Sequence, residues 1–114
     1  MDVGAFLPRQ LLSHLKMVLR SEHELIPALS WAELQSIVAH HGIDLVVADP
    51  AATGHIEVEA LEDLRHRFPS LPVVVYTQLS PAAIKAIVRL ARSGVEHVVL
   101  SRFDDEPRRR KIQG

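Results

Sequence analysis

The sequence contains no cysteine, and only one tryptophan, one tyrosine, three phenylalanines and five glycines among 114 residues. The missing cysteine excludes disulfide frameworks, thiol catalysis and cysteine-based zinc sites. Neither sign of charge is in excess. Thirteen Lys and Arg stand against 14 Asp and Glu, a formal net charge of −1, so no electrostatic case exists for direct nucleic-acid binding by the domain. No apolar run approaches the roughly 20 residues that span a bilayer. The N-terminus, MDVGAFLPRQ, opens with an acid and lacks the basic-then-apolar layout of a signal peptide. The 47% apolar share argues against disorder and low complexity. We expect one soluble, cytoplasmic domain over residues 1–114, with no membrane contact.

What is present is alternation. Val3 to Leu7 is a short apolar run that stops at Pro8. Leu11, Leu12, Leu15, Val18 and Leu19 then recur at helical spacing, which predicts an amphipathic helix over about 10–20. Glu24 to Leu29 reads as a second strand. Ser30 and Glu33 fit a capping box in which each side chain serves the other residue's N–H. Leu34, Ile37 and Val38 form the buried stripe of that helix, and Gly42 ends it. Leu45 to Ala48 is a continuous apolar strand ending at Asp49-Pro50. Ile56, Ala60, Leu61, Leu64 and Phe68 mark a third helix, and Val73 to Tyr76 a fourth strand ending at Thr77. Ser80 caps a fourth helix that Pro81 starts, with Ile84, Ile87, Val88 and Ala91 expected inward and Gly94 closing it. Val98 to Leu100 is the fifth strand. Asp104, Asp105, Glu106 and Pro107 suit the first turn of one more helix, followed by the basic run Arg108 to Lys111.

Continuous, non-alternating strands belong in sheets covered on both faces. The β-α alternation predicts a parallel sheet with right-handed crossovers. Pro27 cannot donate a ladder hydrogen bond, which puts the second strand at an edge. The order 2-1-3-4-5 satisfies this, and it aims Asp49 at the crevice where such folds bind ligands. The expectation is an α/β, flavodoxin-like three-layer sandwich whose last helix is short or truncated.

This layout resembles the receiver (CheY-like) domain of bacterial response regulators. Residues 44–50, DLVVADP, are similar to that family's third strand with its phospho-accepting aspartate. Residues 71–77, LPVVVYT, are similar to the fourth strand with its switch hydroxyl. Ala91 to Val95 and Val98 to Leu100 resemble the stretch leading into the fifth strand. The resemblance implies that Asp49 holds the phosphoacceptor position and Thr77 the switch position. It also implies an acidic pair after strand one and a lysine after strand five. Pro8 and Arg9 stand at the first place; Ser101 and Arg102 stand at the second. The loop after Asp49 is shortened. Phosphoryl transfer is nearly all positioning and charge neutralisation, and a magnesium site usually takes carboxylates that are missing here. The reading is therefore a pseudo-receiver without cofactor: a non-enzymatic module of a signalling or transcription regulator that self-associates as a homodimer or docks on a DNA-binding output domain. The alternative is a functional phosphoacceptor at Asp49 that uses Mg²⁺; a third is a small-ligand sensor in the same crevice.

Each marked residue also has a plainer role. Asp49 can accept backbone N–H bonds near Thr53 or Gly54, or pair with Arg9 or Arg102. Thr77 can make a local turn bond, and Ser101 reads as a turn residue. Of the seven histidines, His40 and His41 are adjacent and point in different directions, the other five fall on different elements, and none shows metal-ligand spacing, though His55 lies close in sequence to Asp49. The acids Glu57, Glu59, Glu62 and Asp63 suit the solvated first turns of helix three. Trp31 fits either an interface anchor or the rim of the core. A short final helix predicts an apolar patch near Leu11, Leu15, Phe103 and Ile112.

Overall fold

The apolar runs rich in Val form strands, and the stretches with helical spacing form the helices between them. The structure, a computed structural model, describes residues 1–19 and 23–101. In chain order the elements are β1 (Asp2–Phe6), α1 (Arg9–Leu19), β2 (Glu24–Pro27), α2 (Trp31–His40), β3 (Leu45–Ala48), α3 (Val58–Arg67), β4 (Val73–Gln78), α4 (Pro81–Arg92) and β5 (His97–Ser101). All strand pairs are parallel and the order is β2-β1-β3-β4-β5. Pro27 sits opposite Ala5 on the edge strand, where its missing N–H is tolerated. Among the described residues no helix is long and apolar enough to cross a membrane. The expected helix after β5, with Phe103, Asp104 to Pro107, Arg108 to Lys111 and Ile112, lies outside the described residues.

Two helix starts are set by serine. Ser30 Oγ accepts from the Glu33 N–H at 3.0 Å. The Glu33 carboxylate reaches back to the N–H of Leu29 at 2.7 Å, one residue earlier than the box predicted. Ser80 Oγ accepts from the Ala83 N–H at 3.0 Å, with Pro81 in the first helical turn. Gly94 ends α4 with φ 101°, and a Cβ there would lie 2.9 Å from Arg65 Nη2, so both conformation and space call for glycine.

The sheet divides the core in two. On one face, Phe6, Val46, Ala48, Val73 and Val75 pack with Leu34 and Ile37 of α2, Val58, Leu61 and Leu64 of α3, and Ala86 and Leu90 of α4. On the other, Val3, Ala5, Val47 and Tyr76 meet Leu11 of α1, with Leu12 and Leu15 half-buried beside them. Among the described residues one helix thus covers a face whose opposite takes three. An apolar groove of about 310 Å³ remains there, lined by residues that include Leu15, Val18, Val74 and Val99. Leu15 belongs to this expected patch. Leu11 does not, because it is buried between α1 and the sheet.

Two stripes differ from expectation. In α3 the first inward residue is Val58, while Ile56 precedes the helix and is exposed. In α4 the inward residues are Ala83, Ala86 and Leu90. Ile84, Val88 and Ala91 are exposed and Ile87 is half-buried. The reason is distance: the small side chains let the helix lie close on the sheet, and the bulkier ones turn aside.

Candidate functional site

Asp49 follows the last residue of β3, and its own N–H continues the sheet by donating to the Phe6 carbonyl at 3.0 Å. The next residue, Pro50, forces the chain to turn. In that turn Asp49 Oδ1 accepts from the Ala51 N–H at 2.8 Å, a local bond that aspartate favours at loop starts. Across the sheet, the Thr77 side chain near the end of β4 hydrogen-bonds the same carboxylate. Asp49 is only 3% exposed and Thr77 2%. Burial pushes the Asp49 carboxyl above its ordinary value; the bonds from Ala51 and Thr77 pull it back in part.

This places the marked residues. Asp49 does accept a backbone N–H, but from Ala51 rather than from Thr53 or Gly54. Thr77 serves Asp49 instead of closing a local turn. Pro8 and Arg9 lie at the start of α1; Arg9 is exposed, and among the described residues no ion pair joins it to Asp49. Ser101 is the buried last residue of β5, not a turn residue, and its carbonyl accepts from the Leu79 N–H at 3.1 Å. Arg102 lies outside the described residues. His55 is exposed, with Nε2 at 3.6 Å from Glu57 Oε1. The Thr53 hydroxyl also donates to Glu57, which braces the loop without adding to the Asp49 site.

A magnesium ion requires near-octahedral oxygen ligands, commonly more than one carboxylate with water. Among the described residues no three His, Cys, Asp or Glu side chains gather into a set that could hold a metal ion. Pro8 and Arg9, at the start of α1, offer it no carboxylate.

Two polar links have no signal in the local sequence, since their partners are far apart along the chain. His14 Nδ1 on α1 lies 2.8 Å from the Tyr76 hydroxyl on β4, pinning α1 to the sheet beside the groove; burial raises the Tyr76 phenol above its ordinary value. Glu62 on α3 accepts from Arg89 Nε at 3.1 Å and Nη2 at 2.8 Å, and from the Ser93 hydroxyl at 2.9 Å. Glu62 is therefore not the purely solvated acid its position suggests; it ties α3 to α4. Trp31 sits at the rim, its ring edge-on to Phe6 with centroids 4.6 Å apart.

Comparison of folds places this geometry among response-regulator receiver domains. The N-terminal signal receiver domain of a two-component response regulator from Bacteroides fragilis matches with a TM-score of 0.73 at 20% identity, over 88% of this chain and 82% of that one. The receiver domain of NtrX from Brucella abortus matches at 0.75 and 17% identity, over 89% and 85%. A longer NtrX structure from Brucella abortus matches at 0.74 and 17%, and there the likeness spans 89% of this chain but 23% of that one. At these identities the likeness is one of fold. No protein-family model matches the sequence, and no curated protein matches it.

Proposed function

We propose that the chain is a receiver-like regulatory module that binds rather than reacts, the signalling part of a response regulator. The observation that carries this is the state of Asp49. Its carboxylate is buried and engaged by Ala51 and Thr77, and proline and arginine stand where metal-holding acids belong. A phosphoacceptor must present an oxygen to the donor and have its charge neutralised in the transition state. Asp49 has neither an open approach nor a cation beside it among the described residues. The same rigid α/β platform can still offer its faces to a second copy or to an output domain, as a receiver within a longer regulator would. On this reading the domain works without enzymatic activity, in the cytoplasm, and has no direct contact with nucleic acid.

Incubation with a small acyl phosphate and Mg²⁺, followed by intact-mass measurement, tests it. The expected spectrum shows no adduct. A stoichiometric phosphate adduct that disappears in Asp49→Ala would replace this reading with that of a competent phosphoacceptor.

A further inference from the structure

The two ends of α2 differ in shape. At its start, beside the tips of the strands, the turn after β2 projects Leu29, which is 87% exposed. Pro27 and Ala32 are exposed on either side of it. A single leucine in water is ordinary, but this one is held in place. The Ala28 N–H donates to the Ala5 carbonyl and the Leu29 N–H to Glu33 Oε1, each at 2.7 Å. The next residue is fixed as well, because Ser30 caps the helix. A side chain on a braced turn loses little freedom when it is bound.

At the other end of α2 the surface is concave. A groove of about 410 Å³ opens between the ends of α2 and α3. Val38, Ile43, Phe68, Pro69 and Leu71 give it apolar walls, and the exposed Ser70 stands on its border. Gly42 adjoins it, and nothing lies within 4 Å of where a Cβ would stand there, so that side is low.

The charges at the two ends are complementary. A helix start carries partial positive charge and a helix end partial negative charge. The leucine sits on the start of α2; the groove lies between two helix ends. Glu33 is the acid next to the leucine. The helix ends bear the exposed His40, His41, His66 and Arg67. Of the acids there, Asp63 is already paired with Arg67 at 3.3 Å, and Asp44 accepts from the Asp2 N–H at 2.9 Å.

We infer that Leu29 of one copy of this chain seats in the α2–α3 groove of the next, so that copies join head to tail along α2. This rests on the binding-module reading above and names its partner. Knob and groove lie at opposite ends of one ten-residue helix, so they cannot meet within a copy. A second copy displaced along the helix axis brings them together, and sets a positive helix start on negative helix ends. An apolar peptide of some other protein would fill the groove but leave Leu29 in water, which favours the second copy. The contact is heterologous: a pair still has one free knob and one free groove, and a third copy can add.

Sedimentation of the full chain from about 10 μM to about 1 mM tests this, a range suited to a small contact. The average mass is expected to rise past that of a dimer. Leu29→Asp removes the knob and is expected to weaken association roughly tenfold or more. Ser70→Glu puts a charge at the groove and is expected to do the same, with an unchanged fold by circular dichroism. Ser70→Lys replaces it if Ser70→Glu does not fold. The mixture is the decisive arm. Leu29→Asp keeps a working groove and Ser70→Glu a working knob, so together they are expected to form a one-to-one dimer and nothing larger. A parent that stays monomeric at about 1 mM overturns the inference. So does association indifferent to Leu29→Asp, or a mixture as monomeric as either variant alone. None of these results bears on the phosphodonor test, which judges the module reading separately.

Discussion

A carboxylate taken out of water with two hydrogen-bond donors is less well served than one in solvent. Asp49 is in this position, and its proton is held more tightly in the folded chain than in the unfolded one. The consequence for stability has a definite sign. In acid both states carry the proton. As pH rises through the ordinary carboxylate range, the unfolded chain ionises first, and stability falls until the folded Asp49 ionises as well. Asp49→Asn keeps an acceptor oxygen for the Ala51 N–H, can donate its amide N–H to the Thr77 hydroxyl oxygen, and has no charge to bury. We predict that it melts higher than the parent at neutral pH, by roughly 1 kcal/mol or about 4 °C. The gap should shrink toward acid pH in melts followed by circular dichroism. A gap that grows on acidification would mean that the carboxylate form is the one the fold prefers. That an aspartate stands at this strand tip was legible from the run Leu45 to Pro50. Its partner Thr77 was marked too, but the bond between them was not, because it crosses from one strand to another.

Among the elements, α4 shows what periodicity contains. Residues 84, 87, 88 and 91 satisfy helical spacing, and so do 83, 86, 87 and 90. Spacing defines a stripe but not which of two neighbouring stripes faces the sheet. Bulk favoured the first; close approach selected the second, whose alanines allow it. The helix start was less ambiguous, because a cap is local: Ser80 needs only the N–H of Ala83 three residues on. Ser80→Ala is expected to cost about 1 kcal/mol, read as a lower denaturant midpoint with an unchanged slope. A change within a few tenths of that quantity would show that tertiary packing alone holds the α4 start. Similar reasoning explains α3, whose Glu57 makes no side-chain cap bond. Without a cap its beginning was open to misplacement, and Ile56 was counted into a stripe that Val58 begins.

For the whole molecule, the sheet separates a deep core from a shallow one. The side with α2, α3 and α4 buries Leu34, Leu61, Leu64 and Leu90 almost completely. The side with α1 leaves the groove beside Leu15 and Val99 open among the described residues. Truncation costs should follow this asymmetry. Leu61→Ala is expected to cost about 2–5 kcal/mol, and Leu15→Ala about 1 kcal/mol or less, because Leu15 gives up little buried area. Equal losses in chemical denaturation would mean that the groove is filled in solution. The His14–Tyr76 bond is a polar fastening of α1 to the sheet, and it spans 62 residues of chain.

The sequence by itself determined the alternation of elements, the edge place of β2 through Pro27, the serine starts of α2 and α4, and the tip position of Asp49. Each of these depends on a residue's own backbone or on neighbours within a turn. Only the tertiary structure decided the Asp49–Thr77 bond, the Glu62 tie between α3 and α4, and the inward side of α4. These depend on which strands and helices lie side by side, and on how closely. Distance in space, unlike spacing in the chain, is the outcome of the whole fold.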